Sequence, residues 1–139
     1  DRKLMETYDA YIKSIGSPEV NLLGVTGMEA AFRNGEEWFE NVKSLICHNY
    51  NYMKLEFAKE LPDVVVTPLE GTYLSWLDLR SYVPEKETAS FIQNKCRLAC
   101  DVGEWFSFTG HGFIRINLAT DTKNIRTAVE SIVTNIKAL

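Results

Sequence analysis

The sequence predicts an α+β domain, a small, mainly antiparallel sheet with helices packed on one face. Three observations carry that prediction. Apolar residues recur at helical spacing at both ends of the chain. Between them lie short β-branched or alternating runs at 64–67, 72–79, 98–102 and 113–118, set off by glycine- and proline-bearing turns. The composition, 45% hydrophobic and 24% charged over 139 residues, is that of a single domain able to bury a core.

The elements follow in order. Leu4, Tyr8, Tyr11, Ile12 and Ile15 have helical spacing, so the chain is expected to start inside or just before an amphipathic helix. Asp1-Arg2-Lys3 is followed by no apolar signal segment. Without an initiator methionine, this start reads either as a processed terminus or as a piece cut from a longer protein. A turn at Gly16-Ser17-Pro18 leads to a short helix over 26–33, stopped at Asn34-Gly35. Glu36 and Glu37 then favour the positive end of a long helix over 36–61, with Trp38, Val42, Leu45, Ile46, Met53, Phe57 and Leu61 as its apolar stripe. At 1.5 Å per residue such a helix is ~39 Å long, and Pro62 ends it.

The strand 64–67 is β-branched, and 72–79 is apolar on both faces, as a central strand would be. Pro84 introduces a helix over 87–97 with Phe91, Ile92 and Cys96 facing inwards. A short strand 98–102, a glycine- and aromatic-rich loop 103–112 and a strand 113–118 come next. Thr120 or Asp121 caps the final helix, striped by Ile125, Val129, Ile132, Val133 and Ile136.

Charge and cysteine usage narrow the function. A formal net charge of −4 offers no basic excess for nucleic-acid phosphates. No apolar run reaches the ~18 residues of a membrane span. Three cysteines without paired spacing fit a reduced, cytoplasmic protein better than a disulfide framework. Motifs of chemistry are scarce. Gly110-His111-Gly112 precedes a strand where a dinucleotide fingerprint would precede a helix. Cys96 and Cys100, with His48 and His111 as the only histidines, lack metal-ligand spacing and read as inert thiols. Adjacent Glu36 and Glu37 point to different sides of a helix and form no acid/base pair. Strand 113–118 sends Ile114, Ile116 and Leu118 to one face and Phe113, Arg115 and Asn117 to the other. Arg115 there is either a solvated arginine on an open sheet or a rigid fork for a carboxylate. Its residue chemistry leaves both readings open.

Two segments carry a resemblance. Glu70-Gly71-Thr72-Tyr73-Leu74-Ser75-Trp76-Leu77-Asp78 resembles the Glu-Gly-Thr-Tyr-Leu-x-Trp segment of pyridoxal-phosphate (PLP) enzymes of the cystathionine β-lyase (MalY/PatB) type. Gly112-Phe113-Ile114-Arg115-Ile116-Asn117-Leu118-Ala119 is similar to their Gly-Phe-x-Arg-x-Asn-x-Ala segment. Leu23-Gly24, Glu29-Ala30-Ala31-Phe32 and Gly35-Glu36-Glu37-Trp38 also look like that family, and the matches are collinear from about Asn21 to the end.

The resemblance implies the C-terminal small domain of a fold-type I aminotransferase-superfamily enzyme spanning 1–139, with 1–61 including the helical linker to an absent large domain. It implies a PLP-dependent C–S β-lyase giving a thiol, pyruvate and ammonia, with Arg115 binding the α-carboxylate of a small amino-acid substrate. The Schiff-base lysine would lie upstream. None of the lysines here stands in that context, so no catalytic residue, no bound cofactor and no activity are expected of this chain alone. The full-length enzyme would be a cytoplasmic homodimer. Where relatives often have Phe-Gly after the first glycine of the loop, this chain has Trp105-Phe106-Ser107, which bears on substrate preference. Two alternatives stand beside the lyase: the small domain of an aminotransferase, and a free-standing, non-catalytic ligand-binding domain.

Overall fold

A computed structural model describes residues 1–16 and 20–139. The chain divides into two units, Asp1–Glu40 and Asn41–Leu139.

In the first unit, α1 (Arg2–Ser14) begins where the Asp1 carboxylate accepts from the Lys3 and Leu4 amides at 2.9 and 3.3 Å, filling two otherwise orphaned donors. Helix α2 (Leu22–Asn34) starts four residues before the expected 26, because the Asn21 side chain caps it by accepting from the Gly24 amide at 2.7 Å. The Gly35 amide closes it on the Ala31 carbonyl at 2.8 Å. Neither α1 nor α2 buries a residue. Of the turn expected at 16–18, Gly16 has a positive φ of 65°, while Ser17 and Pro18 lie outside the described residues. Helix α3 (Glu36–Glu60) follows the expected 36–61 closely. Trp38 departs from the expected stripe, being 69% exposed.

The second unit holds the core. Its four strands, β1 (Val65–Val66), β2 (Leu74–Asp78), β3 (Asp101–Val102) and β4 (Phe113–Asn117), form one antiparallel sheet in the order β1-β2-β4-β3. Thus β2 is central, as its two apolar faces predicted. The register pairs Leu77 with Ile114 and Ser75 with Ile116, which puts these residues on one face. Met53, Phe57 and Leu61 of α3 and its exit pack with Ile125, Val129, Ile132 and Ile136 of α5 (Thr122–Lys137) in the same core cluster as Leu77, Ile114 and Ile116. Each side chain of this size contributes about 1.5–3 kcal/mol when fully buried. The helices therefore cover one face of the sheet and leave the other open. Asp121 is the cap of α5, accepting from the Lys123 amide at 2.8 Å.

The strands expected at 64–67, 72–79 and 113–118 are each trimmed by one to three residues, and two further elements depart more from the prediction. The helix expected over 87–97 is a 3₁₀ turn (Glu85–Glu87), a single α turn designated α4 (Thr88–Ser90) and a wide π turn (Phe91–Lys95). Phe91, Ile92 and Cys96 are buried as expected. Arg97 then takes a positive φ of 56°, and the Leu98 amide turns back to the Ile92 carbonyl at 3.1 Å. That leaves only Asp101–Val102 of the expected strand 98–102 free to join the sheet.

Asn49 stands apart as a fully buried polar residue of α3. Its amide donates to the carbonyls of Leu118 and Thr120, both at 2.9 Å, and its oxygen accepts from Thr122 Oγ1 at 2.8 Å. The end of β4 and the start of α5 are thereby tied to α3. None of the described helices is long and apolar enough to cross a membrane.

Candidate functional site

Arg115 lies in the middle of β4 on the open face, directly across from Trp76 of β2 on one side and Asp101 of β3 on the other. Its Nε and Nη2 donate to the same Asp101 oxygen at 2.9 and 2.5 Å. Phe106, from the loop after β3, lays its ring 4.4 Å from the Arg115 Cζ. The arginine is thus held by its edge and by its face. Its side chain remains 29% exposed.

The stack continues across the sheet. Phe106 meets Trp76 edge-to-face at 5.6 Å, and Trp76 stacks on Phe113 at 5.8 Å. At the far end the Arg80 guanidinium sits 4.6 Å from the Phe113 ring and is gripped by Asp78 through two hydrogen bonds of 2.9 and 2.7 Å. That pairing holds the Asp78 carboxyl below its ordinary pKa, chiefly through the hydrogen bonds from Arg80. Two arginines, each with its own aspartate, bracket three aromatic rings.

The loop reaches Phe106 because glycines let it fold on itself. A Cβ at Gly103 would lie 2.1 Å from the Gly110 carbonyl oxygen, so side chains at this crossing are excluded. The Phe106 amide donates to Gly103 at 3.0 Å and the Gly110 amide to Ser107 at 2.9 Å, closing successive turns. Trp105 and Phe108 project outwards at 62% and 88% exposure. His111 Nδ1 approaches a Glu104 oxygen to 3.0 Å but is out of line for a hydrogen bond.

A cleft of about 430 Å³ adjoins Arg115, lined among others by Asp101, Asn117, Thr120 and Asn124. Cys100 also lines it, yet burial pushes this thiol, and Cys96, up to about 11, so neither is a ready nucleophile. His48 is exposed on α3. Among the described residues no group of three or more histidine, cysteine and carboxylate side chains could hold a metal ion. No lysine lines the cleft. The donor set therefore suits a small carboxylate and does not fit PLP, which needs an amine for its aldehyde and a cradle for its phosphate.

Arg115 was accessible to sequence reading because it interrupts an apolar strand. Asp101 and Arg80 carry no such signal, while Asp78 stands at the end of one resembling segment and Phe106 within the departure Trp105-Phe106-Ser107. Asp101 becomes a partner only through the register of a two-residue strand, and Phe106 only through the folding of a loop.

Comparison with known proteins gives a consistent picture. No family profile matches the chain. It is 26% identical over 133 residues to cystathionine β-lyase PatB of Bacillus subtilis, covering 95% of this chain and 34% of that protein. It is 23% identical over 136 residues to protein MalY of Escherichia coli, covering 94% of this chain and 35% of MalY. In structure it is similar to cystalysin from Treponema denticola, which contains PLP, with a TM-score of 0.79 at 28% identity over 86% of this chain and 31% of that one. The PLP-bound C–S lyase of Staphylococcus hominis gives a TM-score of 0.79 at 27% identity over 98% of this chain and 36% of that one. The chain is thus homologous to part of the PatB and MalY proteins, shares its α+β fold with PLP-dependent C–S lyases, and spans about a third of the length of these relatives.

Proposed function

We propose that this chain is the C-terminal small domain of a PLP-dependent C–S β-lyase of the cystathionine β-lyase type, and that Arg115 binds the α-carboxylate of its amino-acid substrate. One observation above all supports the reading. A guanidinium is fixed on a central strand beside a cleft that holds polar side chains but no lysine. A carboxylate taken there gains charge-assisted hydrogen bonds and a single orientation, which is what positioning for chemistry requires. Asn117, Thr120 and Asn124 supply further polar groups around it. The amine that carries PLP and the cradle for its phosphate belong, on this reading, to the rest of a longer chain. The overall reaction is C–S β-elimination to a thiol, pyruvate and ammonia. The reading includes a homodimer in the cytoplasm, in keeping with the free cysteines Cys47, Cys96 and Cys100.

The test is turnover by the full-length enzyme with cystathionine, followed as free thiol and pyruvate, against amino transfer to a 2-oxo acid. Arg115→Ala is expected to weaken substrate capture by about 2–3 kcal/mol, the loss of charge-assisted hydrogen bonds. Unchanged kcat/KM in that variant would overturn the role of Arg115, and amino transfer without thiol release would overturn the lyase.

A further inference from the structure

We infer that Asp101 is a positioning residue for Arg115, fixing the guanidinium so that its Nη1/Nη2 end, and not its Nε edge, receives a carboxylate. This rests on the reading of Arg115 as the carboxylate anchor and adds a second residue and a binding geometry to it.

The register puts Asp101 directly opposite Arg115 on the open face, where paired side chains are closest neighbours. Both contacts from Arg115 converge on one oxygen, Oδ2, and consume the Nε–H and one Nη2–H. Among the described residues Nη1 has no hydrogen-bond partner. Of the five guanidinium donors, three therefore remain: both on Nη1 and one on Nη2. They lie together at the end of the fork. Phe106 completes the restraint, because a ring 4.4 Å from Cζ fixes the plane while Asp101 fixes the rotation within it. A free arginine side chain carries several rotatable bonds whose freedom is lost on binding. Here that freedom is already lost before a ligand arrives.

Asp101 also sets the charge that an arriving carboxylate meets. The pair is neutral overall, so recognition leans on the geometry of the three remaining donors more than on net charge. Asp101 is itself 38% exposed, which keeps its repulsion of an incoming anion screened by water.

The experiment is a double-mutant cycle in the full-length enzyme, with kcat and KM measured for Asp101→Ala, Asp101→Asn, Arg115→Ala and the Asp101→Ala/Arg115→Ala pair. Asp101→Ala is expected to raise KM by about tenfold with kcat kept within about threefold, because the anchor must be ordered at each binding event. Asp101→Asn, which keeps an acceptor oxygen, is expected to recover most of that loss. In the Arg115→Ala background, Asp101→Ala is expected to add nothing to KM. Matching circular dichroism and melting temperature establish that each variant is folded. The inference is overturned if Asp101→Ala leaves KM unchanged or lowers it, if Asn gives no recovery, or if the KM increase persists without Arg115. A KM indifferent to Arg115→Ala alone would overturn the anchor reading itself, and the inference with it.

Discussion

At the scale of single residues, β2 carries one position that is too polar, and the turn before β4 one that has no room for a side chain. Ser75 is 1% exposed on the core face of β2, and its hydroxyl has no hydrogen-bond partner among the described residues. A buried hydroxyl without a partner costs more than the methyl that would replace it. Ser75→Ala is therefore expected to raise stability by about 1 kcal/mol, read as a higher urea midpoint at unchanged slope. Gly112 behaves in the opposite way. Its φ is +86°, and a Cβ there would meet the Arg80 Cγ at 2.2 Å. Gly112→Ala is expected to lose about 1–3 kcal/mol in the same assay, from backbone strain and from displacing Arg80 off Phe113. Legibility at this scale divides the same way. Arg115 could be picked out because a charge inside an apolar alternation is visible in one dimension. Its partners Asp101 and Phe106 depend on a cross-strand register and a loop crossing, which one dimension does not contain.

At the scale of elements, α3 and α5 are legible because each has a periodic apolar stripe bounded by Pro62 or by the Asp121 cap, and β2 and β4 because their short apolar runs follow glycine-bearing turns. Residues 85–102 are less legible. There the chain passes through 3₁₀, α and π turns and a left-handed Arg97, none of which leaves a periodic trace. What holds the well-read elements together is polar at two points. Asn49 joins α3 to the β4–α5 connection by three hydrogen bonds, with its side chain fully buried. Asn49→Ala strands two carbonyls and is expected to cost about 2–4 kcal/mol, measured by chemical unfolding. At the other end of the same helix pair, Glu60 of α3 bonds Lys137 of α5 and is also paired with Lys59 at 2.7 Å. Hydrogen bonds from Lys137, then from Lys59, bring its carboxyl down to about 2 from 4.5. A carboxyl lowered in the folded state adds stability above its unfolded pKa, and that stability is lost as pH falls through the folded value. Melting temperature is therefore expected to drop between pH 4.5 and about 2, and Lys137→Ala to flatten that part of the profile. An acid limb identical in the variant would show that the pair contributes nothing.

At the scale of the whole chain, stability is unevenly distributed. Every residue of the core cluster belongs to Asn41–Leu139, whereas α1 and α2 in Asp1–Glu40 bury none of their residues. Each of those two helices is 13 residues long. Isolated helices below ~12–15 residues are marginal in water, because one turn must be ordered before any hydrogen bond repays it. Their exposed ion pairs, Arg2 with Glu6 and Arg33 with Glu29, add only about 0.3–0.5 kcal/mol each. Caps at Asp1 and Asn21 help by a similar order. None of this matches the burial that anchors α5. Hydrogen exchange on the chain alone is therefore expected to separate the two units. Amides of α1 and α2 should exchange with little protection, within roughly a hundredfold of an unstructured peptide, while those of β4 and α5 exchange only through global unfolding. The apolar side chains of the first unit, Leu4, Tyr8, Tyr11, Leu22, Leu23 and Phe32 among them, are each more than half exposed. Under the proposed reading, a full-length enzyme about three times longer would have surface to cover them, and protection in α1 and α2 should then rise towards that of the core. Equal protection of both units in the isolated chain would show that the first unit is stable by itself and would remove this reason for expecting the longer one.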